Sequence, residues 1–233
     1  QPVHVVGEQL FAHAQLAGRA LSGGEPFKQP VTNIRAIAVI DPLAAMQVFA
    51  RQGSDFQSFE QVRRDKKPIR VALNQRGTMM ALAGEELLAA KGIPAKDVEA
   101  WGGKVHYVAY NEGLEMMKNK QVDLIVNLLA FPSGQVASAT REMPVQMVGL
   151  TPEVQGALQK SLGMMPIEVP AKTYDFQPAA VPSATATVVL VANASMSDED
   201  AGKIVSAMLR NMDFLKQSHA MMRQLDPADL RRQ

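Results

Sequence analysis

The sequence predicts an α/β protein of two lobes, and three observations predict it. Between residues 69 and 149 short strand-like runs alternate with helix-like runs, the pattern of a mostly parallel sheet with helical crossovers. The run 122–129 is almost continuously apolar, as a strand buried on both faces requires. The flanks, 1–67 and 179–233, carry further strand and helix patterns, so the chain is expected to leave a first lobe near 40–68 and return near 170–190. Two crossings between α/β lobes make a hinge, and a cleft between lobes is a common ligand site.

Each element has its own signal. Residues 1–21 read as a helix, with Val3, Val6, Leu10, Ala14, Ala17 and Leu21 at three- and four-residue steps. Residues 22–26, Ser-Gly-Gly-Glu-Pro, end it in a loop. A strand is expected over 34–39, with Ile34, Ala36 and Ala38 on one face, and another over 46–50. Ser58 with Gln61 matches a capping box, in which Ser58 accepts an N–H and Gln61 reaches back. Arg63, Arg64, Lys66 and Lys67 crowd the next turn as a solvated helix end.

In the core region, 69–73 is a strand, 74–78 a tight loop and 78–91 a helix stopped by Gly92. Residues 105–109 form a strand, and Asn111 caps a helix running to Lys120. After the strand 122–129 come a loop at 131–134, a short helix at 135–140 and a strand at 145–149. Thr151-Pro152-Glu153 starts a helix, with Thr as N-cap, Pro in the first turn and an acid beside the positive end of the helix dipole. Pro166, Pro170, Pro178 and Pro182 break up the segment that follows. A single strand is expected over 184–192, then a long helix from 201 to about 216 capped by Ser197.

Composition excludes several function classes. The 233 residues are 47% hydrophobic and 20% charged, the profile of a globular protein able to bury a core. A net charge of +1 argues against nucleic-acid binding by phosphate neutralisation. No run of about 18 apolar residues is present, so no direct membrane insertion is expected. The absence of cysteine excludes disulfides, thiolate metal sites and a Cys nucleophile. Histidines at 4, 13, 106 and 219 never stand four apart on one helical face, so no metal or other cofactor is expected. Nucleophile-elbow, phosphate-loop and dinucleotide fingerprints are missing too, which argues against an enzyme.

Several stretches together resemble a known family. These are Gly24-Glu25-Pro26-Phe27-Lys28 leading into 31–38, Val-Thr-Asn-Ile-Arg-Ala-Ile-Ala; the strand 69–73 with Gly77-Thr78; 110–118 with Gln121-Val122-Asp123; 167–174; 187–192; and the helix 197–215. In this order they resemble the TAXI-type solute receptors, the extracytoplasmic substrate-binding proteins of TRAP transporters. The resemblance covers almost the whole chain. It implies a type II periplasmic binding fold of two α/β lobes joined by hinge strands. The divisions would be 1–67 as a partial first lobe and outgoing hinge, 68–178 as a complete second lobe, and 179–233 as the return. The chain would begin after the first strands of lobe 1, so that lobe is expected to be incomplete. The implied function is capture of a small, carboxylate-bearing solute, an organic acid or amino acid, in the periplasm or another extracytoplasmic space. Its partners would be the TRAP transporter membrane subunits. A sensory or regulatory domain of the same fold is the alternative.

In open parallel sheets ligands sit beyond the C-terminal ends of strands. Three loops therefore hold the candidate ligand-binding residues. The first holds Asn74, Gln75, Arg76, Gly77, Thr78 and Met79, where a helix start offers free N–H groups and Arg76 offers a partner for a carboxylate. The resembled family usually has several small residues here, so Gln75, Arg76 and the Met79-Met80 pair are departures. Met79 either faces the cleft or packs inside its helix. The second holds Asn127, Leu128 and Phe131; Phe131 either stacks on the solute or belongs to the core. The third is Tyr110, beside the capping Asn111. Asp41 and Tyr174 lie near the expected hinge.

Overall fold

The computed structural model describes residues 11–24, 27–40, 44–218, 222 and 225–228. The chain forms two compact units, residues 1–44 with 186–233, and residues 45–185. Sequence placed the divisions at 67/68 and 178/179 instead.

The second unit is built on a seven-stranded mixed sheet, ordered β5-β4-β6-β3-β9-β8, with β7 beside β3. Its strands are β3 (Ala44–Arg51), β4 (Arg70–Leu73), β5 (Lys104–Tyr107), β6 (Leu124–Ala130), β7 (Val145–Met147), β8 (Met165–Val169) and β9 (Val181–Thr185). Its helices are α2 (Phe59–Asp65), α3 (Met79–Ala90), α4 (Ala95–Ala100), α5 (Tyr110–Lys118), α6 (Gly134–Ala139) and α7 (Pro152–Leu162). The expected parallel arrangement holds for β4, which pairs in parallel with β5 and β6, Ala72 standing opposite His106 and Ile125. Beyond that the sheet is antiparallel: β3 pairs with β7 and β9, and β9 with β8. "Mostly parallel" is thus corrected to mixed. Alternation with helices does not fix strand direction: β8 follows α7 yet lies antiparallel to β9, and β9 joins with no helix before it.

Of the caps expected from the sequence, Ser58 and Ser197 make side-chain bonds and Thr151 stands at the N-cap without one. Ser58, Thr78 and Ser133 each accept the backbone N–H three residues on, at 3.1, 3.1 and 3.4 Å. The reciprocal half of the Ser58 box is missing, because the Gln61 Oε1 is buried without a partner. Gly77, Gly92 and Gly163 adopt left-handed backbone (φ 83, 71 and 65°) at the turns around α3 and α7. Asn111 is not a cap: α5 begins a residue earlier, with Ala109 at the N-cap and Asn111 exposed in the first turn.

At the N-terminal ends of β4 and β6 a charged cluster surrounds the buried Asp123, with Arg51 and Arg70 part-exposed. Asp123 accepts from the Arg70 backbone N–H (3.0 Å), from Arg70 Nε (3.1 Å) and Nη2 (2.8 Å), and from Arg51 Nη2 (3.1 Å). Burial works to raise the Asp123 carboxyl. The hydrogen bonds and charge of Arg70, joined by Arg51, outweigh it and hold the group below its ordinary range.

The first unit carries a three-stranded antiparallel sheet, β1 (Phe11–His13), β10 (Val188–Asn193) and β2 (Ile34–Val39), in the order β1-β10-β2. Its helices are α1 (Ala14–Ser22), α8 (Asp198–Arg210) and α9 (Met212–Ser218). The helix expected over 1–21 is therefore shorter. Residues 11–13 pair with β10, Ala12 opposite Val189, a tertiary contact overriding local periodicity; residues 1–10 lie outside the described residues. The strand expected over 184–192 is two strands in two sheets, β9 and β10, separated at residues 186–187. In β2, Leu190 opposes Ala38 and Val191 opposes Ala36, so Ile37 has no opposite residue. That bulge flips the alternation, leaving Ala36 exposed and Ala38 buried. The long last helix breaks at Asn211, whose amide donates back to the Ala207 carbonyl at 2.8 Å. Ala38, Ile40 and Leu190 form the core here, with Ile204, Met208 and Met212 half-buried against it. Among the described residues no helix is long and apolar enough to cross a membrane.

Candidate ligand-binding site

The C-terminal ends of β4, β5 and β6 enclose a small crevice within the second unit. Ala72, Leu73 and Asn74 line it from β4, Val108, Ala109, Tyr110 and Gly113 from the start of α5, and Ile125, Val126 and Asn127 from β6. The free volume is about 10 Å³, room for one water-sized group. Of the twelve residues singled out in the sequence, the structure brings Asn74, Tyr110 and Asn127 together here.

The two asparagines are oriented by the backbone. Asn74 Oδ1 accepts the Gln75 N–H at 2.7 Å, and its amide donates weakly to Asn127 Oδ1 at 3.4 Å. Asn127 is 4% exposed, and its Oδ1 also accepts the Leu128 N–H at 2.9 Å. That second bond fixes which way the Asn127 amide faces. The Tyr110 hydroxyl is buried with no partner, and burial pushes it well above its ordinary range, so it stays protonated.

The remaining loop residues are committed elsewhere. Thr78 caps α3 and donates from its hydroxyl to the Gln75 carbonyl at 2.7 Å. Gly77 supplies the left-handed turn before it. The Arg76 guanidinium lies over the Tyr107 ring, 3.6 Å from its centroid, and 3.7 Å from Glu85 Oε1. Tyr107 donates to the same Glu85 oxygen at 2.5 Å; burial and that carboxylate push its hydroxyl up to about 12. Met79 is 1% exposed and belongs to the core, which settles its two readings in favour of packing. Leu128 is also core, and Phe131 is half-buried.

Tyr174 is buried in the core of the second unit. Its hydroxyl donates to Gln47 Oε1 at 2.7 Å and accepts the Ser133 N–H at 3.1 Å, while Gln47 Nε2 donates to the Leu129 carbonyl at 3.0 Å. Its ring stacks on Phe176 at 5.5 Å. Asp41 lies outside the described residues. Sequence reasoning missed Gln47, fully buried in an otherwise apolar strand, and Ala109, whose small side chain is the reason α5 lacks a cap. A polar residue inside an apolar run was the available signal for Gln47. Among the described residues, no group of three or more histidine or acidic side chains is placed to hold a metal ion.

Comparison with known proteins gives a family and a set of similar structures. The model of the NMT1-like family matches residues 8–233. A search of curated proteins gave no match. Among solved structures, a TctC solute binding protein from Polaromonas is 10% identical with a TM-score of 0.45, over 91% of this chain and 65% of that one. The alkanesulfonate-binding protein from Xanthomonas axonopodis pv. citri, bound to MOPS, is 12% identical with a TM-score of 0.44, over 86% and 58%. A periplasmic transporter protein is 13% identical with a TM-score of 0.48, over 87% and 62%. The chain spans less than two thirds of the length of each of these.

Proposed function

The chain belongs to the NMT1-like family, and from that premise we propose that it is an extracytoplasmic solute receptor of the TAXI type. It captures a small carboxylate-bearing solute, an organic acid or amino acid, in the periplasm and delivers it to the membrane subunits of a TRAP transporter. The observation that carries the binding reading is the crevice at the ends of β4, β5 and β6. It lies where open α/β sheets take ligands, and Asn74, Tyr110 and Asn127 converge on it. Its polar groups are neutral donors rather than an acid–base pair, which suits holding a solute and not transforming it.

A thermal-shift screen of organic acids, amino acids and apolar acids tests the proposal. A solute at a hundred times its Kd stabilises the folded state by about 2.7 kcal/mol. For a chain of this size that is a rise of about 5–10 °C in melting temperature. A panel in which no member raises the melting temperature contradicts the receptor reading.

A further inference from the structure

We propose that Met165 is a reversible oxidation site: its sulfur takes one oxygen from a peroxide, and the side-chain amide of Gln159 then holds the sulfoxide. The inference does not depend on the receptor reading above.

Oxidation of a methionine follows the access of solvent to its sulfur, and it turns an apolar side chain polar. Met165 opens β8 at the edge of the seven-stranded sheet and is 52% exposed, the one exposed methionine among the described residues. Its neighbour Met164 is fully buried, and Met46, Met79 and Met117 are at most 1% exposed. An oxygen added to any of those would be a polar group in the apolar core without a partner. At Met165 the added oxygen stays in water.

A donor already stands beside this sulfur. Gln159, in the last turn of α7, donates from Nε2 to Met165 Sδ at 3.8 Å, across the left-handed Gly163 turn that joins α7 to β8. No other described hydrogen bond uses that amide. A thioether sulfur is only a weak acceptor, whereas a sulfoxide oxygen carries a full acceptor's charge. An oxygen one S–O bond from the sulfur, at the usual acceptor angle, lies about 2.8 Å from that nitrogen, an ordinary hydrogen-bond length. Oxidation therefore tightens the join between α7 and β8 instead of loosening it.

The step balances. A lone pair on the sulfur attacks one oxygen of hydrogen peroxide, and the S–O bond forms as the O–O bond breaks. The departing hydroxide takes the proton of the transferred oxygen and leaves as water. The sulfur is oxidised and the peroxide reduced. Methionine sulfoxide reductases reverse the change, and the exposure of Met165 leaves it within their reach.

The test treats the full chain with graded hydrogen peroxide and maps the added oxygen by mass spectrometry. Trypsin releases residues 161–172 as one fragment, within which further fragmentation separates Met164 from Met165. Met165 gains oxygen before any other methionine, and methionine sulfoxide reductases remove it. In ¹⁵N-labelled protein the Gln159 side-chain amide protons move downfield on oxidation, and they stay in place in Met165→Leu protein treated in the same way. Oxidation lowers the melting temperature of Gln159→Leu by about 2 °C more than that of the parent, the worth of one modest hydrogen bond. First oxidation at another methionine, a Gln159 amide unmoved when Met165 carries the oxygen, or equal changes in the two melting temperatures overturns the inference.

Discussion

The parallel strands β4 and β6 end in opposite ways. At their N-terminal ends Asp123 is buried and accepts from two arginines and a backbone N–H. At their C-terminal ends the Tyr110 hydroxyl is buried with no partner, and Asn127 is bonded only through its Oδ1. The first end is complete within the chain, and the second is complete only with something outside it. Buried polar groups cost free energy unless paired, so a closed network marks architecture and an open one marks a place for a ligand.

Breaking the closed end has the largest expected effect. Asp123→Ala leaves Arg51 and Arg70 without their shared partner and is expected to cost about 3 kcal/mol or more, read by denaturant unfolding. The same cluster sets an acid limit. The folded carboxyl lies below its ordinary 3.8, so its contribution is fully present above that value and is lost as pH falls through the folded one. Stability measured from pH 6 to pH 2 is therefore expected to fall below about pH 3.8, and the Asp123→Asn protein is expected to show a shallower fall over that window.

The two tyrosines sharpen the comparison further. Tyr174→Phe strands the Ser133 N–H and Gln47 Oε1 and is expected to cost about 1–3 kcal/mol. Tyr110→Phe strands nothing and is expected to fall within about 0.5 kcal/mol of the parent. Equal losses in the two melting curves would erase the distinction between a committed and an open hydroxyl. The helix ends give the smallest expected difference: Thr78→Ala costs about 1 kcal/mol, and Ala109→Ser, which adds a cap to α5, stabilises by somewhat less. Thermal melts of both variants measure it.

Much of this frame was legible in the amino-acid sequence. The apolar run of β6, the Ser58 and Ser197 caps, and Gly92 as a helix stop are local signals, and the structure has them. What escaped depends on partners far along the chain. β8 is a strand despite Pro166 because it lies at the sheet edge beside β9, where one strand face needs no donors. The run 184–192 divides because its halves meet different sheets, which no window of nine residues can reveal. At the candidate site, Asn74, Tyr110 and Asn127 were recognisable as strand-end polar residues. Asn111 imitated a cap and hid the uncapped start at Ala109. Tyr174 reads as a hinge residue until Gln47, 127 positions away, is found against its hydroxyl.

Hydrogen exchange with and without the solute that most raises the melting temperature tests the contrast between the two strand ends most directly. The account expects added protection at 107–113 and 124–128, around the open end, and none at the Asp123 cluster of the same strands. Protection that appears at the Asp123 end, or that leaves 107–113 unchanged, would contradict it.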